Sequence, residues 1–509
     1  MKPIFASLII FQQLLTLVIA ESGKIAEDTA WETEYHVVDS GVDGPNVLIV
    51  GGMHGDEPSG WRAAEQIRHW PIVKGKMIVI PRANVLGLQA NTRYVPNQPE
   101  AERDLNRNFP QTKADSNFKA NPRGELAAAL WQFATKAKPD WVIDLHEGYE
   151  FNISHEPPEG KKKSVGSSVI YRQSEELDAL ARKIQAAANE TVTDPKKRFS
   201  LLGRGPVSTG LARACINVIG AEAMILETTF KDQPISLRTR QHRAMANVIL
   251  QHIGVLDRDC RKLIAGKKSN DHLQVAIFDG VGTGASKVNL AAIVDADKNM
   301  TLNHVGAEEI QLDVLNQFDV IIFPGGSGSK QGGDIGENGR KAVREFTERG
   351  GGVVGVCAGA YLCSAHYSWS LDLIDSAVFT GAPEIPGKGK KQMWYRGKEA
   401  TIDMELTDSG ESLFGNFGIN REFVVRYCNG PIISPKKLDE LDDYRVLAWF
   451  RSENGLWEPQ KGTMINTPAI VSGTFGRGRI MSVSPHPEKT PALHPIIAES
   501  IRWVASQTE

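Results

Sequence analysis

The feature that most constrains the fold of this chain is an alternation of short apolar runs with longer helical patterns. In the first half, the apolar runs cover 47–52, 76–81, 141–146 and 223–228, and the helical patterns cover 60–70, 123–138 and 174–191. Apolar runs of this length, separated by helices, are typical of buried strands in a largely parallel sheet. The first half is therefore predicted to be an α/β domain.

The second half repeats the alternation with different sequences. A helical pattern covers 337–349, and the apolar runs cover 274–280, 319–326, 351–359, 422–427, 444–450, 468–476 and 479–488. Between the halves, residues 256–272 are polar and basic and indicate a linker. The sequence thus predicts two α/β domains, 30–255 and 273–509, each a mostly parallel sheet flanked by helices.

The amino terminus carries a pattern of its own over residues 1–20. Lys2 is followed by an apolar stretch, and small residues stand just before Glu21. This pattern is typical of a cleaved signal peptide, and the alternative is an uncleaved anchor. A cleaved signal predicts a secreted or periplasmic protein. No stable membrane anchor is expected, because no later segment is apolar over the roughly 20 residues that a span requires.

The balance of charge argues against one broad class of function. The chain holds 58 Lys and Arg against 61 Asp and Glu, which leaves a net charge of −3. A general nucleic-acid binder would carry a basic excess, so no nucleic-acid partner is expected. Five cysteines in 509 residues are also too few for a disulfide scaffold. The composition is that of an ordinary globular chain, and it leaves the oligomeric state open.

Residues with metal-binding side chains lie at the ends of two predicted strands in the first half. His54 and Glu57 lie three residues apart directly after the run 47–52, and His146 closes the run 141–146. Ligands in open α/β sheets lie beyond the carboxyl ends of strands, so we expect these side chains at one edge of the sheet. Two histidines and a glutamate are one ligand set of catalytic Zn²⁺, which keeps a fourth position open. The sequence predicts one zinc ion at this edge.

A catalytic zinc site also requires a general base and groups that hold the substrate. Glu227 ends an apolar run, and a carboxylate on a hydrophobic strand can have the raised pKa that suits proton transfer from water. Arg107 offers a planar fork to a substrate carboxylate or an oxyanion, and Asn106 adds a neutral donor. Arg93 and Arg103 are further cationic candidates.

The segments HGDE, DLNRNF, DLH and ILE, in this order along the chain, resemble the pattern of the zinc carboxypeptidase superfamily. The segment GGMHGDEPSG is most similar to the succinylglutamate desuccinylase and aspartoacylase branch of that superfamily. The resemblance spans about 30–255. It implies that His54, Glu57 and His146 bind one Zn²⁺ and that Glu227 is the base.

The resemblance also implies how a substrate is held. Asn106 and Arg107 would bind its terminal carboxylate. The arginine that polarises the carbonyl in this family usually precedes that pair, and both Arg93 and Arg103 fit, so the choice between them stays open. Two tyrosines are candidates for the substrate-binding tyrosine of the family: Tyr149 and Tyr171.

A second candidate site lies in the second half. Cys357 stands in the segment GVCAGA, whose small residues permit the sharp strand-to-helix turn that exposes a nucleophile. A helix N-terminus behind the thiol lowers its pKa and supplies backbone N–H groups for an oxyanion. His486 and Glu488 alternate in an extended segment, so both side chains lie on one face and can approach the thiol.

This cysteine turn and the segment PGGS resemble the class I glutamine-amidotransferase-like superfamily. The resemblance is strongest to the stand-alone biotin-protein-ligase N-terminal type and spans about 273–509. It implies that Cys357, His486 and Glu488 form a catalytic triad.

Together these features predict an exported zinc-dependent hydrolase that cleaves an amide bond next to a free carboxylate. It would be a metallocarboxypeptidase or a deacylase, with a peptide or an N-acyl amino acid as its substrate. Two alternatives stay open. One is a cysteine-dependent amidohydrolase that acts through the second domain, and the other is a protein that binds amino-acid or peptide ligands without catalysis.

Overall fold

The computed structural model describes residues 19–112, 120–378, 399–454 and 462–506, together with 384, 385, 387, 389 and 390. The chain divides into two compact units, Met1–Gln233 with Arg238–Arg261 and Pro234–Leu237 with Lys262–Glu509. The predicted signal peptide, residues 1–20, lies outside the described residues except for its last two positions. Within the described ranges, no helix combines the length and the apolar character needed to cross a membrane.

The first unit alternates strands with helices. Its strands are β1 (Ile19–Ile25), β2 (Thr33–Asp39), β3 (Asn46–Val50), β4 (Lys76–Ile80), β5 (Trp141–Gly148), β6 (Ser168–Tyr171), β7 (Ser200–Leu202) and β8 (Glu222–Thr229). Its helices are α1 (Pro58–Ile67), α2 (Val85–Gln89), α3 (Glu100–Arg103), α4 (Glu125–Ala137), α5 (Glu175–Ala188), α6 (Leu211–Ala214) and most of α7 (Ile235–His252).

The strands of the first unit form one sheet in the order β1-β2-β4-β3-β5-β8-β6-β7. The central strands β4, β3, β5 and β8 pair in parallel. Antiparallel pairs join β1 to β2, β2 to β4, and β6 to β8. The predicted α/β class is confirmed, and the four predicted apolar runs are the four central strands because strands covered on both faces are apolar throughout.

The core of this unit fixes the edge at which the site lies. Leu48, Ile49, Val142, Ile143 and Ala223, on three adjacent central strands, are fully buried. These strands are parallel, so β3, β5 and β8 all end at the same edge of the sheet. Side chains that follow or end these strands therefore meet there.

The second unit contains more strands than its predicted runs. They are β9 (Leu273–Phe278), β10 (Met300–Val305), β11 (Val320–Phe323), β12 (Gly352–Val356), β13 (Ser376–Val378), β14 (Glu384–Ile385), β15 (Gly389–Lys390), β16 (Ala400–Leu406), β17 (Glu422–Tyr427), β18 (Ile433–Pro435), β19 (Arg445–Phe450), β20 (Pro468–Phe475) and β21 (Gly478–Val483). Its helices are α8 (Ser286–Asp295), α9 (Ala307–Gln311), α10 (Gly328–Glu348), α11 (Ala358–Cys363), α12 (Asp408–Phe414) and α13 (His494–Ala505).

The main sheet of the second unit has the order β10-β9-β11-β12-β21-β20-β19-β16-β17. Pairing is parallel from β10 to β21 and antiparallel from β21 to β17. The α/β class is confirmed here too, with an antiparallel extension beside a parallel half. The helix predicted at 337–349 is the second part of α10, whose backbone is interrupted at Gly336 by a φ of 65°.

The segment 256–272, predicted as a linker, contains no helix or strand. Several of its residues are nonetheless buried or hydrogen-bonded. Leu256 and Cys260 are buried in the first unit, and the Cys260 N–H donates to Asn247 Oδ1 over 2.9 Å. Ile264 is buried in the core of the second unit.

Candidate active sites

The turn after β3 brings two candidate metal ligands together. His54 and Glu57 lie between the end of β3 and Pro58, the first residue of α1. The turn passes very close to α2, because a Cβ on Gly55 would lie 2.0 Å from the carbonyl carbon of Gly87. Only glycine fits at that position, which explains the Gly of the HGDE segment.

His54, Glu57 and His146 converge on one point. Their nearest ligand atoms all lie within 4.8 Å of one another, and all three residues are buried. Glu57 Oε1 lies 2.6 Å from His54 Nδ1, and Glu57 Oε2 lies 2.9 Å from His146 Nδ1. Two imidazoles and one carboxylate match the nitrogen and oxygen donors of a catalytic zinc site, so these residues could hold a divalent metal ion.

The charges around this cluster stabilise an ionised glutamate. Burial alone would raise the pKa of Glu57, but His54 and His146 outweigh it and hold the pKa well below its usual value. Burial would lower the pKa of His146, but Asp144 and Glu57 raise it well above its usual value. Asp144 Oδ1 lies 3.1 Å from His146 Nε2, so Asp144 is an acidic partner placed to orient this candidate ligand.

Glu227 lies directly beside the cluster. It pairs in register with His146 across the parallel strands β5 and β8. The residue is buried, and its Oε2 has no hydrogen-bond partner among the described residues. Burial raises the pKa of Glu227 to about 8, with the negative charge of Glu57 acting in the same direction and His146 and Arg93 acting against it. A buried carboxyl group that titrates near neutrality can accept and return a proton.

The two candidate arginines occupy different places. The Arg93 guanidinium donates to Glu57 Oε1 over 3.2 Å and to Asp104 Oδ2 over 3.2 Å, and so lies at the cluster. Arg103 is partly exposed on α3, where it contacts Glu100 over 3.3 Å and lies over a tyrosine ring. The structure therefore brings Arg93 to the site and leaves Arg103 outside it.

Asn106 and Arg107 lie in a short 3₁₀ turn, Leu105–Arg107, beside the cluster. Asn106 Nδ2 lies 3.2 Å from His146 Nε2, and Asn106 Oδ1 accepts a hydrogen bond from the Leu211 N–H over 3.1 Å. Arg107 Nη1 donates to the carbonyl oxygen of Asn106 over 2.8 Å. Both residues line the cavity above the cluster, within reach of a ligand there.

The cavity has a volume of about 1080 Å³, enough for more than a single amino acid. Three exposed cations also line it: Lys162, Lys163 and Arg204. None of them forms an ion pair with a carboxylate in the described part of the chain. Tyr149 also lines the cavity and is 62% exposed, whereas the Tyr171 hydroxyl is bonded to Asp178 and does not line it.

Two residues of this site escaped the sequence reasoning. Asp104 bridges His54 and Arg93, with its Oδ1 at 3.3 Å from His54 Nε2. Its place directly before the Leu-Asn-Arg segment was a usable signal. Glu147 also lines this cavity, its side chain is buried among polar partners, and no motif in the sequence marks it.

The second unit forms the cysteine turn predicted from its small residues. Cys357 lies between β12 and α11 with a φ of 53°, an unusual conformation for a residue with a side chain. Gly359 permits the turn, because a Cβ there would lie 2.0 Å from the Phe323 carbonyl oxygen. The Cys357 side chain is 7% exposed, and its Sγ lies 3.5 Å from the Cys428 carbonyl oxygen.

The other members of the predicted triad lie beside this thiol. His486 Nδ1 is 2.7 Å from Glu488 Oε1, and the Ser286 hydroxyl donates to the same carboxylate oxygen over 2.7 Å. Burial would lower the pKa of His486, but hydrogen bonds to Cys357 and Glu488 raise it to about 10. Both contacts favour the protonated form of the imidazole.

Comparison with known families supports both halves of the description. Residues 43–156 match the family described as succinylglutamate desuccinylase/aspartoacylase catalytic domain, and residues 273–505 match the family described as biotin-protein ligase, N terminal. Both predicted resemblances are confirmed, over shorter ranges than the sequence suggested. The first family is, by its description, one of desuccinylases and acylases, which is the class of enzyme that the sequence predicted.

Individual relatives cover only part of the chain. This chain is 30% identical over 112 residues to the N-alpha-acetyl-L-2,4-diaminobutyric acid deacetylase of Halomonas elongata. The matched region covers 21% of this chain and 29% of that relative. The Helicobacter pylori D,L-carboxypeptidase Csd4 is 23% identical with a TM-score of 0.34, over 42% of this chain and 52% of Csd4. A succinylglutamate desuccinylase/aspartoacylase from Rhodobacter sphaeroides is 20% identical with a TM-score of 0.33, over 52% and 78% of the two chains. The chain thus spans less than a third of the deacetylase and about half of Csd4.

Proposed function

We propose that the first half of this chain is a zinc-dependent hydrolase that cleaves an amide bond next to a free carboxylate. The observation that carries the proposal is the convergence of His54, Glu57 and His146, with Glu227 in register beside them. The Oε2 of Glu227 has no hydrogen-bond partner among the described residues. Three protein ligands, an open position and a neighbouring carboxylate are the parts that catalytic zinc sites require.

Each residue has a separable task in this reaction. A bound Zn²⁺ supplies Lewis-acid chemistry, which polarises a carbonyl group and makes a water molecule more acidic. Glu227 takes a proton from the attacking water at its Oε2 and returns it to the leaving amine. Arg93 stabilises negative charge as it develops on the carbonyl oxygen, since its guanidinium already lies at the cluster.

The substrate of the proposed reaction is a peptide or an N-acyl amino acid with a free carboxylate. Asn106 and Arg107 line the cavity beside the cluster and bind that carboxylate. The exposed cations that line the cavity, Lys162, Lys163 and Arg204, favour substrates with additional negative charge. The relative from Halomonas elongata is by name a deacetylase of an N-acetyl amino acid, which supports this class of substrate.

The proposal also places the enzyme outside the cytoplasm. It rests on the Lys2-led apolar stretch within residues 1–20, which is typical of a cleaved signal peptide. Amino-terminal sequencing of the protein recovered from the cells that make it tests this point. We expect mature chains that begin near Glu21, and intact chains that begin at Met1 would contradict export by cleavage.

The decisive experiment for the reaction is a substrate screen with metal control. The purified full chain is assayed against N-acyl amino acids and carboxyl-terminal dipeptides, before and after chelation and after zinc is restored. We expect hydrolysis that disappears with the metal and returns with it. Hydrolysis that persists in the thoroughly chelated protein would contradict the proposal.

A second candidate function is a cysteine-dependent amidohydrolase in the second half. The specific observation in its favour is the ordered chain of contacts from Cys357 through His486 to Glu488. Two variants separate the candidates. Activity that is lost in Cys357→Ala and kept in Glu227→Ala would assign the reaction to the second half, and the reverse pattern assigns it to the first. If the wild-type chain binds a ligand tightly but neither half hydrolyses any substrate in the screen, the result would favour a binding protein.

A further inference from the structure

Glu147 is a buried carboxylate that the reaction as described does not use. It follows the metal-ligand candidate His146 directly on β5, and its side chain is 1% exposed. Neighbouring residues of a strand point to opposite faces of the sheet, so Glu147 points to the face opposite His146. There its side chain meets groups from three other elements. A buried charge of this kind is costly unless every one of its oxygens is paired.

Both carboxylate oxygens of Glu147 are paired, with partners on different elements. Oε2 accepts the backbone N–H of Ser59, in the first turn of α1, over 2.8 Å. Oε1 accepts the Thr228 hydroxyl of β8 over 3.3 Å and also binds the buried guanidinium of Arg238 on α7. The Glu147 backbone N–H donates in turn to Glu57 Oε2 over 3.1 Å.

These partners are the sequence neighbours of the candidate site residues. Ser59 lies two positions after Glu57, and Thr228 directly follows Glu227, just as Glu147 directly follows His146. The Glu147 carboxylate therefore connects three chain segments. They are the start of α1 next to Glu57, β5 with His146, and β8 with Glu227. The link is reinforced by the Ser59 hydroxyl, which lies 3.1 Å from the Thr228 hydroxyl.

We infer that Glu147 is a positioning residue that holds Glu57 and His146 in the geometry needed to bind the metal ion and keeps Glu227 beside them. The inference rests on the proposed function, and it adds a requirement to it. Partners that orient metal ligands from behind typically change metal affinity by 10- to 100-fold when they are removed. Arg238 is the counterion that allows a carboxylate to be buried at this point.

The test measures metal affinity in the full chain, by competition for Zn²⁺ with a chromophoric chelator. We expect Glu147→Ala to raise the zinc dissociation constant by about 10- to 100-fold. Glu147→Gln keeps an acceptor for Ser59 but loses the charge that pairs with Arg238, so we expect a smaller rise of about 3- to 10-fold. The control is Glu65→Gln on α1, whose carboxylate pairs with Arg68 over 2.7 Å and with Arg82 over 3.3 Å, and it should not change zinc affinity.

The outcomes distinguish the positioning role from the proposed function. Wild-type protein that binds no zinc would overturn both. Wild-type affinity for zinc in a folded Glu147→Gln variant would overturn the positioning role alone and leave the proposed function standing. If Glu147→Ala does not fold, the Gln variant decides, and a rise in its dissociation constant with circular dichroism equal to that of Glu65→Gln supports the inference. Under that result, kcat at saturating zinc should also fall while KM changes little, because substrate contacts are not altered.

Discussion

His146 and Glu227 are direct neighbours across the parallel pair formed by β5 and β8. A proposed metal ligand and the proposed base are therefore fixed relative to each other by strand pairing and not by a loop. Because strand register is set by buried residues on both strands, the distance between these side chains is a property of the core. This arrangement gives Glu227 a constant position beside whatever is bound at the cluster.

The first prediction concerns Glu227→Gln. The substitution keeps the size of the side chain and removes its ability to exchange a proton, so we expect kcat/KM to fall by about 10²- to 10⁴-fold while zinc content is unchanged. Glu222→Gln, at the start of the same strand, is the matched control, since Glu222 pairs with the exposed Arg172. Turnover of Glu227→Gln at the level of the control would remove Glu227 from the reaction.

The second prediction separates the two arginines that sequence left as alternatives. Arg93 contacts Glu57 and Asp104 at the cluster, whereas Arg103 contacts Glu100 outside it. We expect Arg93→Ala to lower kcat/KM by about 10²- to 10³-fold, as removal of a charge-stabilising donor does. Arg103→Ala should stay within about twofold of wild type, because exposed ion pairs contribute little. A larger loss in Arg103→Ala than in Arg93→Ala would contradict the assignment.

The third prediction concerns two exposed lysines that line the cavity. Replacing Lys162 and Lys163 by glutamate reverses the local charge without touching the cluster, so KM for acidic substrates should rise while kcat is little changed. The rise should shrink as salt screens the charges. Lys161→Glu is the control, because Lys161 is an exposed neighbour that does not line the cavity. An equal effect in the control would show that the lysines act only through net charge.

The fourth prediction is a pH dependence in the second half. The pKa of His486 is raised to about 10 in the folded chain by its contacts with Cys357 and Glu488, against an ordinary value of 6.5. Since the folded state binds the proton more tightly, the contribution of His486 to stability is fully present below pH 6.5 and is lost as the pH rises through 10. The difference in urea midpoint between wild type and His486→Gln should therefore shrink from pH 6 to pH 10. A difference that stays constant over this range would contradict the protonated imidazole.

The sequence was most informative where burial leaves a continuous signal. The central strands of the first sheet are apolar throughout because both faces are covered, and all four were recognisable as runs of Val, Ile, Leu and Met. The antiparallel strand β1 was not recognisable in this way. Its sequence, Ile-Ala-Glu-Ser-Gly-Lys-Ile, lacks such a run and adjoins the apolar amino terminus. Short edge strands such as β7 carry too few residues to form a pattern.

In the candidate site, too, the sequence pattern predicted some residues and left others undetermined. Ligand types and strand ends indicated His54, Glu57 and His146, because parallel strands end at one edge. Spacing alone could not choose between Arg93 and Arg103, because the choice depends on tertiary contacts. Arg93 contacts Glu57, whereas Arg103 contacts its helix neighbour Glu100. The environment of Glu147 was invisible as well, because its partners lie on elements far apart in sequence.

The most direct test of the central claim is the zinc content of the purified chain and of His146→Ala, measured by elemental analysis after dialysis, with His69→Ala as a control at an exposed position. We predict one zinc ion per chain in wild type and in His69→Ala and almost none in His146→Ala, because removal of one of three ligands leaves too few to retain the ion. A wild-type chain without zinc, or a His146→Ala variant that retains the full amount, would contradict a metal site built from His54, Glu57 and His146.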